Sequence, residues 1–134
     1  MTGQNIKDGA SIVNFGCPVT KTADMVGGKW KGVILYHLTS GSKRYNELRK
    51  LLPHITQRML TLQLRELERD GIVLRQVYPV VPPRVDYSLT ALGETLRPVL
   101  FFMRDWGVYY ENLQENGESQ VALPELDETV IEKK

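Results

Sequence analysis

"TQRMLTLQLRELERDG", residues 56–71, reads as one helix with both ends marked. Thr56 suits the N-cap, where a hydroxyl accepts a bond from a backbone N–H that the helix leaves without a partner. Ile55 before it and Leu60 inside it stand at the spacing of a hydrophobic staple. Asp70-Gly71 closes the helix, since glycine takes the left-handed cap without steric cost. At about 100° per residue, Leu60, Leu64 and Leu67 share the side that packs inward. Arg58, Thr61 and Arg65 share the opposite side, with Gln57 toward its edge. These side chains suit a DNA major groove. Arginine forks onto guanine O6 and N7, glutamine pairs with adenine, and the threonine methyl meets the methyl of thymine. The helix N-terminus also favours a phosphate. The plain alternative is a solvated polar face. Gln63 lies nearer the apolar side, and nothing in the sequence explains it.

The flanks complete the pattern. Downstream, "IVLRQVY" (72–78) and "RVDYSL" (84–89) read as strands joined by "PVVPP" (79–83). Upstream, a first helix begins at Pro18, carries Val19, Ala23 and Val26, and ends at Gly27-Gly28. A second runs from Trp30 to about Thr39 on Val33, Ile34, Leu35 and Leu38. "KRY" (43–45) fits a short strand, and Asn46 is the expected cap of a third helix that stops before Pro53. Thr90 is expected to cap one long last helix, "ALGETLRPVLFFMRDWGVYYENLQ", kinked at Pro98. Three helices, the helix at 56, then a hairpin is the order of a winged helix-turn-helix. The expected fold is therefore mainly α with a small β-hairpin wing (α+β) and a long C-terminal dimerisation helix. The proline-stiffened hairpin lowers the entropy cost of docking a wing on DNA, and Arg75 and Arg84 are placed to neutralise phosphates. The plain reading of those prolines is a shaped turn.

Length and charge agree with one small globular domain. The chain has 134 residues, 42% hydrophobic and 25% charged. Between Gly41 and Arg84, nine Lys/Arg stand against four acids, a net +5; from Asp105 onward, eight acids stand against two lysines, a net −6. A basic middle points to a polyanion such as double-stranded DNA. Residues 1–16 read as an N-terminal arm, 17–113 as the folded domain and 114–134 as an acidic, flexible tail. No apolar run approaches membrane length and no secretory leader is evident, so a cytoplasmic protein is expected. One cysteine and two histidines give no metal-ligand spacing, and no cofactor is expected. Nor is catalysis expected. G-x-S-x-G and H-E-x-x-H are missing, and "ADMVGGKW" fails as a P-loop at Ala23 and at Trp30.

The last helix carries apolar residues on more than one side, among them Leu100, Met103, Trp106 and Tyr110. A helix apolar on several sides is covered on several sides, so a homodimer built on it is expected, joined by the first helix and the arm.

"CPVTKTADMVGGKW" (17–30), "YNELRKLLPHITQRMLTLQLRELERDGIV" (45–73) and "VYPVVPPRVDYSLTALGETLRPVL" (77–100) with "DWG" (105–107) resemble HxlR-type winged-helix regulators, relatives of the MarR group. The resemblance spans Cys17 to Gly107. It implies a dimeric bacterial or archaeal regulator, by default a repressor, that binds a pseudo-palindromic operator through the helix starting at Thr56. A winged helix used as a protein–protein module is the rival reading.

Cys17 is the only cysteine, and it stands at the expected N-cap with Pro18 behind it and Lys21 one turn on. Backbone N–H groups at a helix start stabilise a thiolate, which makes a thiol reactive toward electrophiles and oxidants. The resemblance adds that several HxlR-type regulators use the cysteine of this motif to sense quinones, aldehydes or oxidants. The alternatives are a structural cap, or a regulator whose signal is a small ligand.

Overall fold

The computed structural model describes residues 16–116. The elements run α1 (Pro18–Val26), α2 (Lys31–Leu38), β1 (Lys43–Arg44), α3 (Tyr45–Leu51), α4 (Gln57–Arg69), β2 (Val73–Tyr78), β3 (Arg84–Leu89), α5 (Ala91–Glu94) and α6 (Arg97–Asn116). The expected arm lies outside the described residues apart from Gly16, and the expected tail apart from residues 114–116, which still belong to α6. The chain divides into two units, with the boundary between Arg97 and Pro98.

In the first unit the core is built from Ile34 and Leu35 of α2, Leu48 of α3, Leu60, Leu64 and Leu67 of α4, and Val73 of β2, all 2% exposed or less. Each such side chain contributes about 1.5–3 kcal/mol by leaving water. Both ends of α4 are chemically fixed. The Met59 N–H donates to Thr56 Oγ1 at 3.0 Å. At the other end the Gly71 N–H donates to the Glu68 carbonyl and the Ile72 N–H to the Leu67 carbonyl, both at 3.0 Å. That pair of bonds is a Schellman motif, and Gly71 sits at φ +80°, where a side chain would be strained. Lys31 of α2 and Glu66 of α4 pair at 2.8 Å. The Lys31 hydrogen bond, and then its charge, hold the Glu66 carboxyl below its ordinary value. Gln63 now has a partner: half-buried, it donates to the Met59 sulfur one turn back at 3.3 Å.

Two expectations need correction, and the short strand expected at 43–45 is present as β1. The N-cap of α3 is Arg44, not Asn46. Arg44 arrives extended from β1, and its N–H donates to Glu47 Oε1 at 2.8 Å, so Glu47 supplies the capping acceptor from inside the helix. The sheet has three strands in the order β1-β3-β2, all antiparallel. The hairpin pairs Val73 with Leu89 through Tyr78 with Arg84, and two-residue β1 covers the far edge of β3, Arg44 opposite Asp86.

The second correction concerns the C-terminal helix, which is two helices. Thr90 caps only α5, its Oγ1 accepting from the Gly93 N–H at 3.0 Å. Thr95 and Leu96 then bond back three residues to the Leu92 and Gly93 carbonyls. Proline explains the break. Inside one continuous helix Pro98 would offer Glu94 no N–H and would press its ring on that carbonyl. By restarting at Arg97, the chain places Pro98 in a first turn whose N–H groups have no partner anyway. Gly93 is required for packing, because its backbone lies against the Ile72 carbonyl with no room for a Cβ.

Candidate nucleic-acid interface

The face of α4 opposite its leucines is exposed at Gln57, Arg58 and Arg65, with Thr61 half-buried. Leu62 belongs to the same stripe, since 58, 61, 62 and 65 follow the i, i+3, i+4, i+7 spacing. It is 46% exposed and lines one shallow depression with Gln57, Arg58, Thr61 and Arg65. The apolar-in, polar-out reading of α4 therefore holds, with one leucine on the outward side that it missed.

Thr61 does not stand alone. The Tyr45 hydroxyl, at the start of α3, lies 3.0 Å from Thr61 Oγ1 and 3.1 Å from the Gln57 carbonyl. Tyr45 thus ties α3 to the first turns of α4. No periodicity marks it, because it opens a seven-residue helix straight after a strand.

Beside α4 a groove of about 940 Å³ runs to the wing. Arg44, Arg65, Arg75 and Arg84 line it, against the single acid Glu68, and Val80, Val81, Pro82 and Pro83 form its wing side. The Val81–Pro82 peptide is cis, and Val81 is almost wholly exposed. Among the described residues Arg58, Arg65 and Arg75 form no ion pair. Arg84 is different. Its Nε donates to Asp86 Oδ1 at 3.1 Å and its Nη2 to Oδ2 at 3.0 Å, and its guanidinium lies 5.0 Å from the centre of the Tyr78 ring. Both bonds go to Asp86, which is buried, while the Arg84 side chain stays 43% exposed. The Arg84 bonds, then the charges of Arg84 and Arg44, hold the Asp86 carboxyl below its ordinary value. Arg84 thus braces the wing base through Asp86, and Arg44, overlooked in the sequence, joins Arg75 among the cations of the groove.

The comparisons with known proteins fit this geometry. The profile of the HxlR-like helix-turn-helix family matches residues 25–115. The chain belongs to that family. It is similar to the uncharacterized HTH-type transcriptional regulator YdeP of Bacillus subtilis, 65% identical over 97 residues, 72% of this chain and 76% of that protein. It is also similar to two structures of the redox regulator HypR. The reduced form gives a TM-score of 0.71 at 56% identity, covering 75% of this chain and 99% of that one; the oxidized form gives 0.67 at 60%, covering 69% and 96%.

The fold of this HxlR-type transcription regulator is thus a winged helix-turn-helix, with α4 in the recognition position and the β2–β3 hairpin as the wing. Its named relatives are transcription regulators. Among the described residues no helix is long and apolar enough to cross a membrane, and no three His, Cys, Asp or Glu side chains gather as a metal site.

Cys17 stands where the sequence puts it, exposed at the N-cap of α1 with Pro18 at the first helical position. In the second unit, α6 leaves Met103, Trp106 and Tyr110 between 45% and 58% exposed, Trp106 and Tyr110 stacked with ring centres 5.4 Å apart. Leu100 departs from expectation. It is 2% exposed within one protomer. The reason is angular: Leu100 points about 110° away from the centre of the stripe shared by Phe102, Met103, Trp106 and Tyr110.

Proposed function

We propose that this protein is a cytoplasmic, homodimeric repressor that binds a pseudo-palindromic DNA operator and whose occupancy responds to electrophiles or oxidants through Cys17. The observation that carries the DNA reading is the joining of two surfaces. The exposed arginines of α4 run into a four-arginine groove edged by the wing. Base edges suit Gln57, Arg58, Thr61 and Arg65, with a phosphate at the Thr56 helix start; the sugar–phosphate chain suits Arg44 and Arg75, and more weakly Arg84. The dimer reading is supported by the exposed stripe Phe102, Met103, Trp106 and Tyr110 on α6, which one protomer leaves in water. Two recognition helices in successive major grooves would lie about 34–36 Å apart.

The thiol reading is supported by the exposure of Cys17 and by the likeness to HypR, a redox regulator with distinct oxidized and reduced structures. With one cysteine per chain, a disulfide joins Cys17 to the partner's Cys17 or to a small thiol, and two electrons and two protons pass to the oxidant. A quinone instead takes the thiolate as an adduct.

The test is duplex binding across a salt series, before and after diamide. Steep salt dependence supports DNA over a protein–protein role. Diamide should alter binding by the wild type and leave Cys17→Ser unchanged. Equal behaviour of both proteins would make Cys17 structural and move the signal elsewhere.

A further inference from the structure

The hydrogen-bond directions at Tyr45 decide what Thr61 can offer a base. This reasoning rests on α4 being the element that reads DNA. The Gln57 carbonyl only accepts, so the single proton of the Tyr45 hydroxyl goes to it. The contact between Tyr45 Oη and Thr61 Oγ1 must then be made by the Thr61 proton. Thr61 has spent its only donor inside the protein, so toward a base it keeps only a hydroxyl oxygen that can accept and a methyl group. Beside it, Leu62 keeps 46% of its surface in water on a face whose other members are Gln57, Arg58 and Arg65. The one apolar group that a major groove displays is the C5-methyl of thymine.

We propose that Thr61 and Leu62 form a methyl-reading patch between Arg58 and Arg65, and that Tyr45 is the positioning residue that withdraws the Thr61 donor from it. The operator half-site then carries thymine between the bases contacted by the two arginines. Thr61 reads no base as a donor, because Tyr45 holds its proton.

The experiment uses the full chain and an operator selected by it from a random duplex library. Each thymine of the half-site is replaced in turn by uracil, which removes the methyl and keeps every hydrogen-bonding group. Burying one methyl is worth about a four-fold change in affinity, and about fifteen-fold when both half-sites are altered. Uracil at one or two central positions should weaken wild type by these factors, and Leu62→Ala should abolish most of that penalty. Tyr45→Phe, checked for folding by circular dichroism, frees the Thr61 proton. It should shrink the thymine preference and admit bases with an acceptor at that position. A half-site without thymine, or uniform indifference to uracil while Arg58→Ala and Arg65→Ala still lose affinity, overturns the methyl patch and leaves α4 as the reader. Wild-type binding by both arginine variants overturns the two readings together. An unchanged base preference in folded Tyr45→Phe overturns the role of Tyr45.

Discussion

α4 and α6 both carry a strip of large apolar residues, and they dispose of it in opposite ways. α4 hides Leu60, Leu64 and Leu67 to within 1% of full burial and turns Arg58 and Arg65 outward. α6 hides Leu100 alone and leaves Phe102, Met103, Trp106 and Tyr110 at 39–58% exposure. α4 keeps Leu62 as its one large apolar side chain in water, among exposed cations. The other keeps aromatic surface in water, where each half-exposed ring forgoes roughly half of the 1.5–3 kcal/mol that full burial would give. On the proposed reading, what each helix leaves unburied matches its partner: a polyanion for α4, a second apolar surface for α6.

The largest effect should come from exchanging one residue from each strip. Leu64→Ala should cost about 2–5 kcal/mol of folding stability, read from denaturant unfolding. Trp106→Ala removes a larger side chain, yet in a dilute protomer it should cost no more than about 0.5 kcal/mol. Its effect should appear instead as dimer dissociation in sedimentation. Equal losses of protomer stability would erase the contrast between the helices.

Within the cationic surface the contrast is between free and paired arginines. Arg58→Ala or Arg65→Ala should lose about 1–3 kcal/mol of operator affinity and relax specificity at one position. Arg75→Ala should weaken all duplexes alike and lower the salt slope by about 1. Arg84→Ala should change that slope less than Arg75→Ala, because Asp86 already holds its charge. Binding titrations at several salt concentrations read all of these.

Smaller still is the cap of α4. Thr56→Ala should cost about 0.5–2 kcal/mol of stability, and the same change at Thr20, an exposed residue inside α1 that is not its N-cap, should be close to neutral in thermal unfolding.

Acid should act mildly and in two stages. Burial, then Lys43, lowers the His37 pKa from 6.5, so its contribution is present above 6.5 and fades as pH falls through the folded value. Glu66 and Asp86 lie below 4.5 and 3.8 when folded, so their contributions persist to those values and are lost beneath them. Lys31→Met should flatten the second stage of a pH series of unfolding midpoints.

What could be read in the sequence follows from how local each cause is. The ends of α4 were legible because Thr56, Asp70 and Gly71 act within one turn of themselves. The hairpin was legible because its strands are six residues each and bounded by prolines. The third strand was only half legible, since two residues show no alternation and β1 owes its pairing to β3, over forty residues away. Pro98 was noticed, but whether a proline kinks a helix or splits it depends on where the chain restarts. The cationic face of α4 was visible from angular spacing alone. Tyr45, Arg44 and the capture of Arg84 by Asp86 were not, because each depends on partners brought in by the tertiary fold.

The central claim is that the outward face of α4 reads duplex DNA. Its most direct test is selection from a random duplex library by the wild type and by an Arg58→Ala/Arg65→Ala double variant shown to be folded and dimeric. The account predicts that the wild type enriches a pseudo-palindrome with half-site centres one helical turn, about 34–36 Å, apart, and that the double variant enriches none. The same palindrome emerging from both proteins would contradict it.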